Sequence, residues 1–207
     1  MDPSTLPNEA VPFDPRVWDP FARLLERRIV FLRGPIEDTK ADQLAAQLLV
    51  LDAESDDPVT MYIDSPGGSA AGMFALYDTM QLLRSPVHTT CVGIAASAGA
   101  FLLATGSGTR SATPNARVML HQPLGGAEGT AADIQIQARE FAFLRERMEQ
   151  ILSERTGKSV ERIHLDTQRD FWLSAHEALR YGLIDEVAVG PRAPGPSRPR
   201  PVPPPGS

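Results

Sequence analysis

Residues 91–105 constrain the fold more than any other stretch, because the pattern changes there from strand-forming to helix-forming within a few positions. The apolar run 89–94 predicts a buried strand, and the leucine-rich run 101–104 predicts a helix. The positions between them carry only small residues, namely Ala95, Ala96, Ser97, Ala98, Gly99 and Ala100. One serine therefore lies at a strand-to-helix turn with no bulky neighbour on either side.

Ser97 has two interpretations at this turn. As a nucleophile, it would be exposed by the turn, lie near the positive end of the helix dipole, and leave room for a substrate backbone. As a structural residue, it would be the ordinary N-cap of a tightly packed helix. The nucleophile pattern G-x-S-x-G is not met, because Ala95 stands at the position of its first glycine. Taken alone, the stretch favours the structural interpretation.

The composition excludes several classes of protein. The chain has 207 residues, 42% of them hydrophobic, which predicts one domain with a substantial core. A net charge of −6 without a basic patch argues against nucleic acid as a partner. No apolar run approaches the roughly 18–20 residues of a membrane span, and no secretory signal is visible. The single Cys91 excludes an intramolecular disulfide and a cysteine-based metal site. We therefore expect a soluble, cytoplasmic protein with no metal site and no membrane partner.

Strand and helix patterns alternate along the chain and predict an α/β domain with a largely parallel sheet. Besides the two elements around Ser97, strands are predicted at 28–33, 59–63, 117–120 and 183–189. Helices are predicted at 19–28, 39–54, 70–84, 131–155 and 159–164, with an irregular segment at 165–170 and a last helix that starts at a capping box, Ser174 to Glu177. The domain is predicted to span 18–189, between a flexible arm at 1–17 and a disordered, proline-rich tail at 190–207.

Three residues suggest nucleophilic catalysis when they are taken together: Ser97, His121 at the end of a predicted strand, and Asp170 in the segment before Phe171. Acyl transfer at neutral pH needs a base such as histidine to take the serine proton, and a carboxylate to orient the imidazole. Asp64 and Asp166 compete with Asp170 for that last role, and their spacing does not choose among the three.

A pair of backbone N–H groups is also required, to stabilise the negatively charged oxygen of the tetrahedral intermediate. The Gly-Gly pair that ends at Gly68 lies between a predicted strand and a helix, where it could offer a free N–H group. Ala98, directly after the serine, could offer the second.

Four segments in order resemble ClpP, the family of proteolytic subunits of the ATP-dependent Clp protease (peptidase family S14). They are 62–69 (YIDSPGGS), 93–103 (GIAASAGAFLL), 114–126 (PNARVMLHQPLGG) and 166–175 (DTQRDFWLSA). The resemblance runs from about 17 to 189 and implies a ClpP/crotonase-like fold with a protruding handle helix at 131–155. It implies that Ser97, His121 and Asp170 are the nucleophile, base and acid, and that the backbone of Gly68 and Ala98 binds the oxyanion.

The resemblance also implies an assembly. Seven-membered rings would stack into a tetradecamer around a closed chamber, with Arg169 coupling ring pairing to the alignment of the catalytic residues. A hexameric AAA+ unfoldase, such as ClpX, ClpA or ClpC, would feed in unfolded polypeptide and use ATP, so this chain would need no cofactor. The segment 1–17 does not resemble the family's axial-pore segment, and we expect it to be a flexible arm or, in part, a propeptide.

The chain departs from the family where the unfoldase docks. The matching positions are Thr60, Tyr62, Leu82, Ser111 and Thr113, and only Tyr62 and Leu82 keep the apolar or aromatic character of that pocket. Each lost apolar contact costs on the order of 1–2 kcal/mol. We therefore expect a divergent paralogue that depends on a sister ClpP ring for docking. The alternative is a regulatory or structural subunit that acts through a mixed complex. A crotonase-type acyl-CoA enzyme is disfavoured, because Ser97, His121 and Asp170 would have no role in it.

Overall fold

A single mixed sheet organises the part of the chain that this computed structural model describes, residues 19–123 and 128–190. Its seven strands are β1 (Ile29–Arg33), β2 (Val59–Ser65), β3 (Val87–Ala96), β4 (Arg110–Ala112), β5 (Arg117–Leu120), β6 (Phe171–Ser174) and β7 (Glu186–Val187). The helices are α1 (Pro20–Leu25), α2 (Asp38–Glu54), α3 (Ala70–Leu82), α4 (Ala98–Ala104), α5 (Ala131–Thr156), α6 (Val160–Thr167) and α7 (Ala175–Tyr181). The predicted arm and almost all of the predicted tail lie outside the described residues.

The long strand β3 connects the two parts of the sheet. The order β1-β2-β3-β4-β7 is parallel throughout. The first half of β3 pairs with β4, whereas its end pairs with β5, from Ile94 opposite Arg117 to Ala96 opposite Met119. Strand β6 then pairs with β5 in the antiparallel sense. The predicted α/β class and largely parallel sheet are confirmed.

One face of the sheet forms the core. Alternate residues of β1, β2 and the first part of β3 are buried there, and the apolar sides of α2, α3 and α4 pack against them. Every residue of α4 is buried, and Phe101 contacts the rings of Phe74 and Tyr77 edge-on at 5.7 and 5.5 Å. This packing holds the start of α4, and therefore Ser97, against the sheet.

Several predicted boundaries differ from the structure. Strands β4 and β6 were not predicted, because each is short and lacks a clear apolar alternation. Helix α6 continues to Thr167, into the segment predicted to be irregular, and the Thr167 hydroxyl bonds to the Ile163 carbonyl in that last turn. The strand predicted at 183–189 is reduced to β7, since only Ser111 and Ala112 of the short β4 pair with it.

Helix α5 extends beyond the packed part of the protein. It begins at a capping box between Thr130 and Asp133, has 26 residues, and ends at Gly157 with φ of 70°. Its buried residues, Met148, Glu149, Ile151 and Leu152, all lie in the second half. The first half therefore protrudes, as predicted for this helix. None of the helices in residues 19–123 and 128–190 combines the length and apolar character needed to cross a bilayer.

Candidate active site

Ser97 has a strained backbone, with φ of 54° and ψ of −122°. A positive φ is unusual for a residue with a side chain and is concentrated at functional sites. Ser97 precedes α4 in the N-cap position, but its side chain makes no capping hydrogen bond. Its N–H group donates to the Met119 carbonyl at 2.8 Å. The interpretation as an ordinary N-cap is therefore wrong, and the hydroxyl is left half-buried and available.

The small residues around Ser97 have a structural cause, which is the close approach of two strand-to-helix turns. A Cβ atom on Gly67 would lie 2.7 Å from Cβ of Ser97 and 2.8 Å from the Ala96 carbonyl oxygen. A Cβ atom on Gly99 would lie 3.0 Å from the Ser65 carbonyl oxygen. The turn after β2 therefore packs directly on the turn after β3, and it determines where the serine lies.

Two backbone N–H groups at these turns are free to bind an oxyanion. Gly68 forms an isolated bridge with Ile36, but the bridge uses the Gly67 carbonyl and the Ser69 N–H group. Ala98 is the first residue of α4, where N–H groups have no partner inside the helix. Within residues 19–123 and 128–190, neither N–H group donates a hydrogen bond to the protein, and both residues line the same cavity as Ser97.

The sheet places His121 and Asp170 opposite each other. Strands β5 and β6 pair in register from Arg117 opposite Ser174 to Leu120 opposite Phe171. His121 directly follows β5 and Asp170 directly precedes β6, so one further step of this antiparallel register brings them together. Ser97, His121 and Asp170 thus lie at the same end of three adjacent strands.

The side chains of Ser97, His121 and Asp170 lie near one another but are not hydrogen-bonded to one another in the described part of the chain. Ser97 and His121 line one cavity of about 280 Å³, and His121 and Asp170 line a second. His121 is half-buried and Asp170 is exposed. Among the described residues no hydrogen bond links Ser97 to His121 or His121 to Asp170. The chain therefore holds the three groups near one another without a hydrogen bond between them.

The competing carboxylates have other partners. Asp64 accepts from the Ile94 N–H group at 3.3 Å. Asp166 accepts from the Tyr181 hydroxyl at 2.7 Å and from the Arg162 guanidinium at 2.8 Å. Asp170 lines a cavity together with His121, which makes it the candidate carboxylate for orienting the imidazole. In the described part of the chain, no group of three or more His, Cys, Asp and Glu side chains could hold a metal ion.

The cavity beside Ser97 is lined by apolar side chains as well as by the polar groups of the candidate site. The apolar residues that the sequence did not reveal are Pro66, Ala70, Met73, Pro123 and Met148. Met148 belongs to α5, far along the chain, so only the tertiary fold brings it to the serine. The cavity offers a flexible, apolar surface next to a candidate nucleophile.

The family model of the Clp protease matches residues 13–191. The chain belongs to the Clp protease family. The match includes every strand and helix that the structure describes, and therefore all of the residues around Ser97. Membership in this family of ClpP-type peptidases (family S14) agrees with the fold, with its protruding α5.

The five residues expected to form the Clp docking pocket lie on two sides of the protein. Thr60, Tyr62, Ser111 and Thr113 belong to β2, β4 and the residue after β4. Leu82 ends α3, on the helical side, and is 81% exposed. Ser111 is buried, and its hydroxyl bonds to the Thr90 hydroxyl at 2.9 Å. Leu82 therefore belongs to the helical layer, whereas the other four residues belong to the sheet or directly follow it.

The sequence did not reveal an aromatic pair on the face of the sheet that carries Tyr62. Phe31 stacks on Tyr62 with 5.5 Å between ring centroids, and Phe21 contacts Phe31 edge-on at 5.2 Å. The alternation of residues along β1 places Phe31 beside Tyr62, which is a signal that could have found it. Arg169, the residue expected to couple the rings, is exposed and lines the same cavity as Asp170.

Proposed function

We propose that this chain is the proteolytic subunit of an ATP-dependent Clp protease, a serine endopeptidase that cleaves unfolded polypeptides. One observation carries the proposal: Ser97 has a strained backbone, an unused hydroxyl, and two free N–H groups, of Gly68 and Ala98, lining its cavity. A residue that served only as a helix cap would need neither the strain nor the free donors.

The chemistry divides among the residues as follows. A ring nitrogen of His121 takes the proton from Oγ of Ser97 as this oxygen attacks the scissile carbonyl carbon. The N–H groups of Gly68 and Ala98 donate to the resulting oxyanion. When the C–N bond breaks, His121 gives its proton to the leaving amine. A water molecule, deprotonated by His121, then hydrolyses the acyl-enzyme and restores the Ser97 hydroxyl, while Asp170 orients the imidazole throughout.

The apolar walls of the cavity suggest the substrate side chain. Met73 and Met148 are unbranched, flexible and polarisable, so they adapt to apolar groups of different shape. We expect cleavage after apolar residues, and poor cleavage after acidic ones, because no Lys or Arg side chain among the described residues lines this cavity.

The assembly is also part of the proposal. Two seven-membered rings would stack through the protruding half of α5 and so cover it. Hydrogen bonds among Ser97, His121 and Asp170 would form when the rings pair. The partners would be further copies of this chain, a sister ClpP and a AAA+ unfoldase, in the cytoplasm. The polar character of Thr60, Ser111 and Thr113 supports unfoldase docking on a sister ring.

A regulatory role is the second candidate, and two observations favour it. Among the described residues no hydrogen bond joins Ser97, His121 and Asp170 to one another, and three of the five expected docking positions carry Ser or Thr. In this case the protein would act through a mixed complex without using Ser97.

Hydrolysis of a fluorogenic peptide distinguishes the two candidates. It should be measured for the purified protein alone and mixed with a sister ClpP whose own serine is replaced, each with wild type and Ser97→Ala. Activity that Ser97→Ala abolishes supports the peptidase. Labelling of Ser97 by a serine-reactive phosphonate, compared with Ser97→Ala, gives a second readout. Neither hydrolysis nor labelling, alone or mixed, would overturn the peptidase and leave the regulatory role.

A further inference from the structure

Glu149 is a buried carboxylate on the part of α5 that faces the candidate site. Its side chain is 5% exposed, and it is the one charged residue among those described that is buried. A buried carboxylate is unfavourable unless hydrogen bonds and opposite charge compensate for the lost water. Its neighbour Met148 lines the Ser97 cavity. The same turn of α5 therefore contributes both to the cavity and to this buried polar contact.

His164 on α6 is the hydrogen-bond partner of Glu149, and Arg145 on α5 adds a positive charge nearby. Its Nδ1 atom lies 2.9 Å from Oε1 of Glu149. The Nε atom of Arg145 lies 3.9 Å from the same oxygen, too far for a hydrogen bond, and this buried nitrogen has no hydrogen-bond partner in the described residues. His164 is thus the only side chain of the described part of the chain that hydrogen-bonds this carboxylate, and the bond ties α6 to α5.

The end of α6 is connected to both His121 and Asp170. The carbonyl group of Thr167, the last residue of α6, accepts a hydrogen bond at 2.8 Å from the N–H group of Gln122, the residue after His121. Asp170 follows Thr167 by only a short turn. A displacement of α6 would therefore move the base and the carboxylate together.

Two adjoining cavities also connect His164 with His121 and Asp170. His121 and Asp170 line one, and Arg145 and His164 line the next. Both also contain Gln122, Gln168 and Arg169. His164 and the candidate catalytic residues thus border adjoining cavities that share three residues, which gives a shift of α6 a short route to His121 and Asp170.

We propose that Glu149 and His164 are positioning residues that fix the end of α6 on α5 and so align His121 with Asp170. The proposal rests on the proposed peptidase function. Loss of His164 leaves Glu149 buried without a hydrogen bond, and α6 shifts to let water reach the carboxylate. Alignment for proton transfer suffers, whereas the apolar cavity, built largely from other elements, keeps its shape. The expected effect is a lower kcat with an unchanged KM.

The test compares His164→Ala with His164→Asn in the full chain, together with whichever ring partner activity requires. The asparagine amide nitrogen takes the place of Nδ1 and keeps a donor to Glu149. His176→Ala is the matched control, because His176 is an exposed histidine on α7 outside the candidate site. We expect kcat per phosphonate-titrated serine to fall ten-fold or more in His164→Ala with KM within two-fold. His164→Asn should restore kcat to within three-fold of wild type.

Hydrogen exchange provides a readout that does not depend on catalysis. Peptides covering residues 165–170 should exchange at least ten-fold faster in His164→Ala than in His176→Ala, and His164→Asn should restore protection. Equal exchange in the two alanine variants overturns the proposal, as does a rise in KM that matches the fall in kcat. If the wild type proves inactive while exchange still rises, the contact holds α6 but the proposed function has failed, and the positioning role fails with it.

Discussion

Replacement of Gly67 by alanine tests how the nucleophile is held. Gly67 has φ of 95°, and an added Cβ would lie 2.7 Å from Cβ of Ser97. Carbon atoms in contact prefer a separation of about 3.5–4.0 Å, so Ser97 or the turn must move by about 1 Å. A misplacement of about 1 Å costs on the order of 100-fold in rate. We therefore expect kcat/KM to fall about 100-fold in Gly67→Ala.

Gly157→Ala is the control for backbone strain alone. Gly157 has φ of 70°, but an added Cβ would have no neighbouring atom within 4 Å. Both variants carry the cost of a left-handed alanine, about 1–2 kcal/mol of stability. Only Gly67→Ala displaces the serine, so Gly157→Ala should keep its peptidase activity despite a lower midpoint of thermal unfolding.

The assay is peptide hydrolysis and phosphonate labelling of both variants at a temperature where circular dichroism shows both folded. If kcat/KM of Gly67→Ala stays within three-fold of Gly157→Ala, the turn after β2 does not position Ser97, and the reasoning is refuted. A loss of labelling in parallel with hydrolysis would place the defect at the serine itself.

Three further predictions concern stability and reactivity. Burial raises the pKa of Cys91 to about 12, so iodoacetamide at pH 8 should alkylate it only after unfolding; rapid reaction of native protein would contradict this. The Arg110 hydrogen bond lowers the pKa of Asp185. The stability it contributes is present above about pH 4 and is lost as pH falls. Denaturant midpoints of Asp185→Asn should therefore fall less toward pH 2 than wild type, and parallel curves would count against it. Thr130→Ala should cost about 1 kcal/mol at the α5 cap, seen as faster hydrogen exchange in residues 131–137 and refuted by unchanged exchange.

The parts of the fold that could be predicted are those with strong local patterns. Strands β1, β2, β3 and β5 are apolar runs that end at turn residues, and α5 and α7 have capping residues and terminal glycines. Strand β6 could not be predicted, because its four residues form a strand only by pairing with β5. That pairing closes across α5 and α6, and no local pattern encodes a register over such a distance.

In the candidate site, too, local patterns could be predicted from the sequence, whereas tertiary contacts could not. The small residues around Ser97 are visible in the sequence, but their cause, contact with the turn at Gly67, is tertiary. Spacing alone could not choose Asp170 over Asp64 and Asp166, and only the resemblance to the family made that choice. In the structure the other two carboxylates have hydrogen-bond partners of their own. Met148 could not be found at all, because a methionine in a helix has no distinguishing neighbours in sequence.

The structure separates the candidate site into a fixed part and an adjustable part. Ser97 and the free N–H groups of Gly68 and Ala98 belong to two turns that pack closely on each other, so these candidate oxyanion donors would need no reorganisation before reaction. His121 and Asp170 are instead connected to the end of α6, which is held by the buried Ile163 and by the Glu149–His164 contact with α5. In the proposed peptidase, movement of the base and carboxylate alone would switch activity. Because α5 also protrudes from the packed part of the protein, a partner that covers its free half would act on the helix that, in this proposal, sets their alignment.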